Sequence, residues 1–478
     1  MTGRPGCALR AALTHAFAVL WSAALAAAPL PPEVDTALRA AGVPPGALSV
    51  LVQEVGGAAR PLLAQQADTP VNPGSLFKLA TTQAALEILG PTWTWRTPVW
   101  IDGTLSADGV LDGAVLIQAT GDPSLVLERT WLLLRQLRQR GVRDIRGDIV
   151  LDRSAFEPRR GSPGDFDGEP LRPYNVQADA LLLNHKAVTL RFSPDPSRGL
   201  ARVSAEPALA GVAIDAQVPL SAGACDDWRA SVGATLHDPQ HVRFTGTYPL
   251  ACGEQRWPVA YADPDSYNAR LVEALWRELG GELRGRVRDG AAPTGMAPSF
   301  EWTSPPLGEV VRDINKFSNN VMAQQLFLSL ALQWQGQGTR EGARAVMRQW
   351  LAEHLGEPLV GVVIDNGSGL SRDTRLSVRQ LATLLLHAWA GPTMPELIAS
   401  LPITGLDGTM RRSLASAGRA HLKTGSLRDM AGIAGIVHGA AGRRYVLVAV
   451  IQHPNANAAR GALDALVQWS LNDGATAR

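Results

Sequence analysis

From about residue 99 to about residue 300 the chain changes texture, and this constrains its fold more than any other feature. Inside that stretch, short apolar runs ("GAVLIQAT", "GDIVLD", "AVTLRFSP", "VAIDAQVPL", "HVRFTGTYPL") sit between clusters of Gly, Pro and Asp. That is the pattern of short strands and turns, so the region reads as β-rich. Two segments in it have helical spacing, "SLVLERTWLLLRQLRQRG" and "SYNARLVEALWRELGG". The Pro-rich "GAAPTGMAPSFEWTSPPLG" reads as a return linker. Helical pattern then resumes in "LGEVVRDINKFSNNVMAQQLFLSLALQW" and "TREGARAVMRQWLAEHLG". Strands are predicted at 419–426, 430–438 and 443–452, with a final helix after Asn457. Ahead of the β-rich stretch, "GALSVLVQEVGGAARPLLAQQ" alternates apolar and polar residues around a Gly-Gly turn and predicts a hairpin. A chain of 478 residues has room for two or three domains.

The first residues follow a different logic. Arg4 and Arg10 precede an apolar run from about Ala11, which ends near Ala24-Leu25-Ala26. This is the layout of a secretory signal cleaved after Ala26, and it predicts an exported, periplasmic protein. An uncleaved anchor is the other reading, although the run is short for a bilayer span. Residues 1–26 hold two arginines and no acid, so their removal takes the formal net charge from +1 to −1. No basic surplus points to nucleic acid. Cys7 leaves with the signal and has no lipoprotein-type Leu-Ala-Gly lead-in. Cys225 and Cys252 remain, an even pair in an oxidising compartment that predicts a disulfide; two buried thiols are the alternative. There is no H-E-x-x-H, and the two cysteines cannot form C-x-x-C, so neither a metal nor a cofactor is predicted.

The stretch "NPGSLFKLATTQAALEILGP" (72–91) predicts a helix, with Asn72 as cap, Pro73 in the first turn and Gly90-Pro91 at its end. It sets Ser75 and Lys78 three apart, hence on one face, among Leu76, Phe77, Leu79 and Ala80. S-x-x-K alone occurs by chance in many chains, and a lysine there can simply snorkel from a core helix. Two further pieces stand at expected places. "KFSNNVMA" carries Ser318 and Asn320 at a break between helical runs, and "HLKTGSLRDMAGIAGIV" carries Lys423-Thr424-Gly425 on a predicted strand.

Acyl-transfer chemistry explains these residue types. A serine hydroxyl needs a base to take its proton. A lysine with the ordinary pKa of about 10.4 is neutral only about once in several thousand at pH 7. Burial among Leu76, Phe77 and Leu79, with repulsion from a Lys423 cation, lowers that value; a drop of about 3 units corresponds to roughly 4 kcal/mol. Ser318 is placed to relay a proton among Lys78, Lys423 and a leaving amine. Asn320 is expected to hold a substrate amide, and Lys423 with Thr424 a terminal carboxylate. Gly425 would let substrate backbone lie along the strand edge. The amides of Ser75 and Ser426 are the candidates for an oxyanion hole.

Rival sites are poorer. "DNGSGLSRD", with Ser368 and Ser371, lacks the G-x-S-x-G elbow of an α/β-hydrolase. His185, His237, His241, His354, His387, His421, His438 and His453 are scattered, and none stands out as a triad base. Asp165, Asp167 and Glu169 in "GDFDGEPLRPY" offer acids for a peptide amine, or stand as solvated loop.

S-x-x-K, S-x-N and K-T-G in that order are the signature of penicillin-recognising serine acyl-enzymes. The chain resembles the class C low-molecular-mass penicillin-binding proteins, the D-alanyl-D-alanine carboxypeptidase/endopeptidase family S13. "GDPSL", "GDIVLDRSAF", "DNGSGLSR" and "LPITGLDGTM" add to the resemblance, which covers nearly all the mature chain. Ser75 and Ser318 stand 243 residues apart (318 − 75), much further than in compact serine β-lactamases. The resemblance implies an α/β (α+β) transpeptidase-like fold, an antiparallel sheet flanked by helices, with two inserted β-rich domains. It assigns 27–98 and 300–478 to a discontinuous catalytic domain, 99–185 and 260–299 to one insertion, and 186–259 to the other.

The implied activity is hydrolysis of D-alanyl-D-alanine bonds in peptidoglycan stem peptides, with β-lactams as covalent inhibitors. Ser75, Lys78 and Ser318 are its expected catalytic residues; Asn320, Lys423, Thr424, Gly425 and Ser426 its expected substrate-binding residues. A β-lactamase on the same site and a non-catalytic peptidoglycan-binding module are the competing functions. No E-x-x-L-N follows Ser318, so the separate glutamate base of class A β-lactamases has no counterpart. Asn366 before Gly367 departs from the more familiar D-G-S-G-L-S-R, and the disulfide is inferred for this chain alone.

Overall fold

The structure is a computed structural model that describes residues 29–57, 60–158 and 160–476. The expected signal at 1–26 and Cys7 lie outside the described residues. A five-stranded antiparallel sheet draws its strands from both ends of the chain. Their order is Leu63–Gln65, Leu48–Glu54, Arg444–Gln452, Met430–His438 and Ala420–Leu427. The first two are the expected hairpin, and the last three fall within one residue of the positions read from sequence.

Arg444–Gln452 is apolar through its middle because both of its faces are covered. Val446, Val448 and Val450 enter a core that also holds Leu79, Leu326 and Leu381. Tyr445, Leu447, Ala449 and Ile451 enter a second core, closed by Val34 and Leu38 of helix Pro32–Ala40 and Leu463 and Leu466 of helix Arg460–Leu471. The period of two divides one strand between two cores. Helix Asn320–Gln335 is buried on most of its surface and packs against Lys78–Leu89 and Arg340–Leu355, and Val378–Ala390 packs against those two.

Residues 96–303 build the other large sheets. A seven-stranded sheet includes Arg96–Leu105, Val110–Gln118 and, from the far end of the stretch, Phe300–Thr303. A five-stranded sheet runs from Ala187–Asp195 to Gln255–Ala260, and a small one joins Ala213–Ile214, His241–Phe244 and Ala234–Thr235. Both expected helices form, as Leu127–Gln139 and Tyr267–Glu278. Cys225 and Cys252 are joined, their Cα atoms 4.9 Å apart.

One detail differs from the sequence reading. The Pro-rich segment is not all linker: Phe300–Thr303 pairs antiparallel with Arg96–Val99, so the seven-stranded sheet joins the two ends of this stretch of chain. The buried Gln325 ties residues of the β-rich stretch to helix Asn320–Gln335. Its Oε1 accepts from the Asp179 amide at 2.9 Å, and its Nε2 donates to the Asp179 and Gly121 carbonyls at 2.8 and 3.1 Å. A buried polar side chain with partners at both ends fixes orientation as well as contact.

Candidate active site

The Ser75 segment departs from a plain helix. Ser75 lies in a 3₁₀ turn, Gly74–Phe77, which leads into the α-helix Lys78–Leu89. Asn72 holds the turn from below: its Oδ1 accepts from the Gly74 amide at 2.9 Å, and its Nδ2 donates to the Ser371 carbonyl at 2.9 Å. Side chains three apart eclipse in a 3₁₀ turn. Lys78 Nζ accordingly stands 2.9 Å from Ser75 Oγ.

Lys78 is fully buried. Its nitrogen also meets Asn320 Oδ1 at 2.6 Å and the Ser368 carbonyl oxygen at 2.6 Å. Both partners can only accept. In the ammonium form all three N–H bonds find acceptors here; in the neutral form the two obligate acceptors take both N–H bonds and leave the lone pair for the Ser75 hydroxyl. Burial first, and the Lys423 charge second, push Lys78 well below its ordinary value of 10.5.

Ser318 occupies the break between helices Leu307–Phe317 and Asn320–Gln335 in a left-handed conformation, φ 56°. Such a conformation costs a non-glycine residue roughly 1–3 kcal/mol. It lets three consecutive side chains take three directions. Ser318 Oγ accepts from Lys423 Nζ at 2.8 Å, Asn319 caps the next helix by accepting from the Met322 amide at 3.1 Å, and Asn320 reaches Lys78. Asn320 Nδ2 donates to the Tyr174 carbonyl at 3.2 Å, which turns the amide so that its oxygen faces the lysine.

Lys423 is fully buried too, and burial pushes it from 10.5 to about 7. The sequence reading treats it as a fixed cation; in this environment it titrates near neutrality. Its strand, Ala420–Leu427, is the edge of the sheet and pairs with Met430–His438 in one unbroken register. On the outer side the Leu422 amide donates to Pro402, and Ala420 accepts from the Thr404 amide. Backbone directions alternate along a strand, so the Thr424 and Ser426 amides also face outward. Thr424 Oγ1 donates to Thr409 Oγ1, and Ser426 Oγ donates to Asn457 Oδ1 and accepts from Arg460. A Cβ on Gly425 would meet Pro73 O at 3.0 Å and Leu76 Cγ at 3.1 Å. The bare glycine thus lets the strand close on the Ser75 turn, whereas the sequence reading gave it a place beside substrate backbone.

Residues 32–472 match the D-Ala-D-Ala carboxypeptidase 3 (S13) family. The chain belongs to that family. It is 27% identical over 419 residues to a D-alanyl-D-alanine carboxypeptidase of Actinomadura sp. (strain R39), covering 83% of this chain and 76% of the relative. D-alanyl-D-alanine carboxypeptidase DacB of Haemophilus influenzae is 24% identical over 382 residues, 79% of each chain. Penicillin binding protein 4 (dacB) from Haemophilus influenzae superposes with a TM-score of 0.73 at 22% identity, covering 91% of this chain and 99% of that one. The penicillin G acylated predatory endopeptidase Bd3459 of Bdellovibrio bacteriovorus shares the fold at a TM-score of 0.51 and 15% identity, over 89% and 92% of the two chains. The S13 chain is therefore a serine-type peptidase with the penicillin-binding-protein fold.

Within this S13 site, three contributors escaped the sequence reading. The segment 365–371, weighed there as a rival nucleophile loop, braces Lys78 instead. The Gly367 carbonyl accepts from Thr81 at 2.7 Å, Ser368 supplies its carbonyl to Lys78, and Asn366 knots the loop through Ser368 and Leu370. A Cβ on Gly369, at φ +75°, would overlap the Gly74 carbonyl at 1.8 Å. Two glycines flanking a serine were the available signal. Tyr174 lies in the β-rich stretch 99–300, and through its carbonyl that stretch joins the hydrogen-bond network around Lys78. Of the loop acids, Asp167 accepts from Tyr174 Oη at 2.9 Å and from Asn175 Nδ2 at 2.7 Å, Asp165 from the Ser162 amide, and Glu169 pairs with Arg172. Arg460, whose Nη2 lies 2.8 Å from Ser426 Oγ, had no motif to mark it.

Proposed function

We propose that Ser75 is the acylated nucleophile and Lys78 the base that activates it, in a peptidase acting on D-alanyl-D-alanine bonds of peptidoglycan stem peptides. The observation that carries this reading is the set of partners around Lys78 Nζ: two obligate acceptors and one hydroxyl. Ser75 Oγ attacks the carbonyl carbon of the penultimate D-alanine while its proton passes to Lys78. The oxyanion so formed meets the Ser75 and Ser426 amides. As the C–N bond breaks, the proton that Lys78 took from Ser75 passes by way of Ser318, which touches Lys423, to the departing D-alanine nitrogen, and Lys78 is neutral again. Water then attacks the acyl-serine, gives its proton to Lys78, and Ser75 regains its hydrogen. Among the described residues no carboxylate is hydrogen-bonded to Ser75 or Lys78, so one lysine serves both halves of the reaction.

Substrate binds along the outer edge of Ala420–Leu427 as an added strand. Lys423 in its charged form and Thr424 receive the terminal carboxylate, and Asn320 meets the peptide amide. β-Lactams acylate the same serine. The protein acts in the periplasm after loss of residues 1–26; no helix among the described residues is long and apolar enough to cross a membrane. Residues 27–98 and 300–478 form the catalytic domain, 99–185 with 260–299 and 186–259 the inserted ones.

The test is product analysis on purified muropeptides together with turnover of benzylpenicillin. Release of D-alanine with a persistent penicilloyl adduct supports the peptidase. Fast hydrolysis of benzylpenicillin without peptide cleavage would make it a β-lactamase.

A further inference from the structure

Away from the serine site, three helices converge on a cluster the peptidase chemistry does not use. Glu87 projects from Lys78–Leu89, His354 from Arg340–Leu355 and His387 from Val378–Ala390. His354 Nε2 lies 3.1 Å from Glu87 Oε2, and His387 Nε2 lies 3.4 Å from Glu87 Oε1. All three ligand atoms fall within 4.8 Å of one another. We propose that Glu87, His354 and His387 hold one divalent transition-metal ion of the zinc class, tying the three helices together.

The hydrogen bonds around the cluster carry the argument. His354 Nδ1 stands 2.7 Å from the Trp350 carbonyl, which can only accept, so Nδ1 bears a hydrogen. In the neutral ring Nε2 is then a lone pair, and it points at a carboxylate oxygen. Two acceptors so close need a positive charge between them, from a metal ion or from a second proton on the ring. A carbonyl on the far nitrogen is also the usual partner of a metal-binding histidine. The carboxylate is fixed in the same manner. Trp350 Nε1 donates to Oε2 at 2.6 Å and Gln83 Nε2 to Oε1 at 2.7 Å, leaving each oxygen a further lone pair. The Trp350 ring lies 4.4 Å from the His354 ring and confines it.

The distances suit a metal as well as they suit an ion pair. Tetrahedral bonds of about 2.0–2.1 Å put neighbouring ligand atoms about 3.3 Å apart; His354 reaches Oε2 at 3.1 Å and His387 reaches Oε1 at 3.4 Å, and one ligand atom from each of the three residues falls within 4.8 Å of the others, a set that a small shift closes around an ion. Two imidazoles and one carboxylate suit zinc and its neighbours rather than magnesium or calcium, which take oxygen. The His387 side chain is 47% exposed, so an ion can enter and a water can complete its shell. The three ligands lie far apart in the chain, so no local spacing announces them.

The test titrates untagged, chelator-stripped protein with Zn²⁺ against a chromophoric chelator. One ion per chain should bind with a dissociation constant of micromolar or below and raise the thermal midpoint. His387→Ala, an exposed change, should weaken binding at least tenfold and cancel the thermal shift, while acylation by benzylpenicillin stays normal. Glu87→Gln, which keeps one carbonyl oxygen but loses the charge, should weaken binding as well. Absence of stoichiometric binding, or equal affinity in both variants, would overturn the site and leave a proton bridging His354 and Glu87. Binding that leaves the midpoint unmoved would overturn its role as a clamp.

Discussion

Asn320 holds its side-chain oxygen 2.6 Å from Lys78 Nζ, and the Tyr174 carbonyl holds Asn320 in that orientation. A neutral acceptor at this position solvates the amine without adding charge. Asn320→Asp would place a carboxylate there and favour the ammonium form. The rising limb of the acylation rate against pH should then move to higher pH, with a loss of rate on its acid side. Asn320→Ala should give no such upward shift. Stopped-flow acylation by benzylpenicillin across pH 5–10 distinguishes them.

Lys78→Arg keeps a cation but supplies no neutral amine, since guanidinium stays protonated. Acylation should fall by several orders of magnitude while circular dichroism and thermal midpoint stay near those of the parent. Near-normal acylation by this variant would remove the lysine from the role of base.

Lys423 gives a stability test with a defined sign. Folded, it loses its proton near 7; unfolded, a lysine keeps it to about 10.4. Between those values the unfolded chain binds more protons, so this residue makes stability rise with pH from about 7 to about 10. Below 7 both states are charged, and the cost of burying the cation is felt in full. Lys423→Met should flatten the rise in urea midpoint between pH 7 and 9. An unchanged slope would contradict the depressed value.

The motifs were legible because the chemistry is written locally. Ser75 and Lys78 share a turn, Ser318 and Asn320 a helix break, and Lys423 to Ser426 one strand. The sheet was legible for a similar reason: Arg444–Gln452 is apolar at every position covered by a core. What escaped was supplied by backbone or by distant chain. Ser368 and Tyr174 act through carbonyl oxygens, which every residue type possesses. The role of Gly425 depends on what lies across from it, Pro73 and Leu76, and a sequence does not display that. The strand Phe300–Thr303 hid in a Pro-rich segment because only four residues of it pair.

The cysteine bridge closes 27 residues of separation. On the loop-entropy account it stabilises by roughly 3 kcal/mol. Alkylation of exported, denatured, unreduced protein should find no free thiol at Cys225 or Cys252, and reduction should lower the thermal midpoint. Two alkylated thiols before reduction would contradict the link.

The central claim is that Ser75 alone carries the acyl group. Intact-mass and peptide-level spectrometry of the protein after benzylpenicillin should show a single penicilloyl adduct, located on Ser75. The Ser75→Ala protein should show none, and Ser371→Ala should keep the adduct. An adduct on the Ser75→Ala protein would contradict the account.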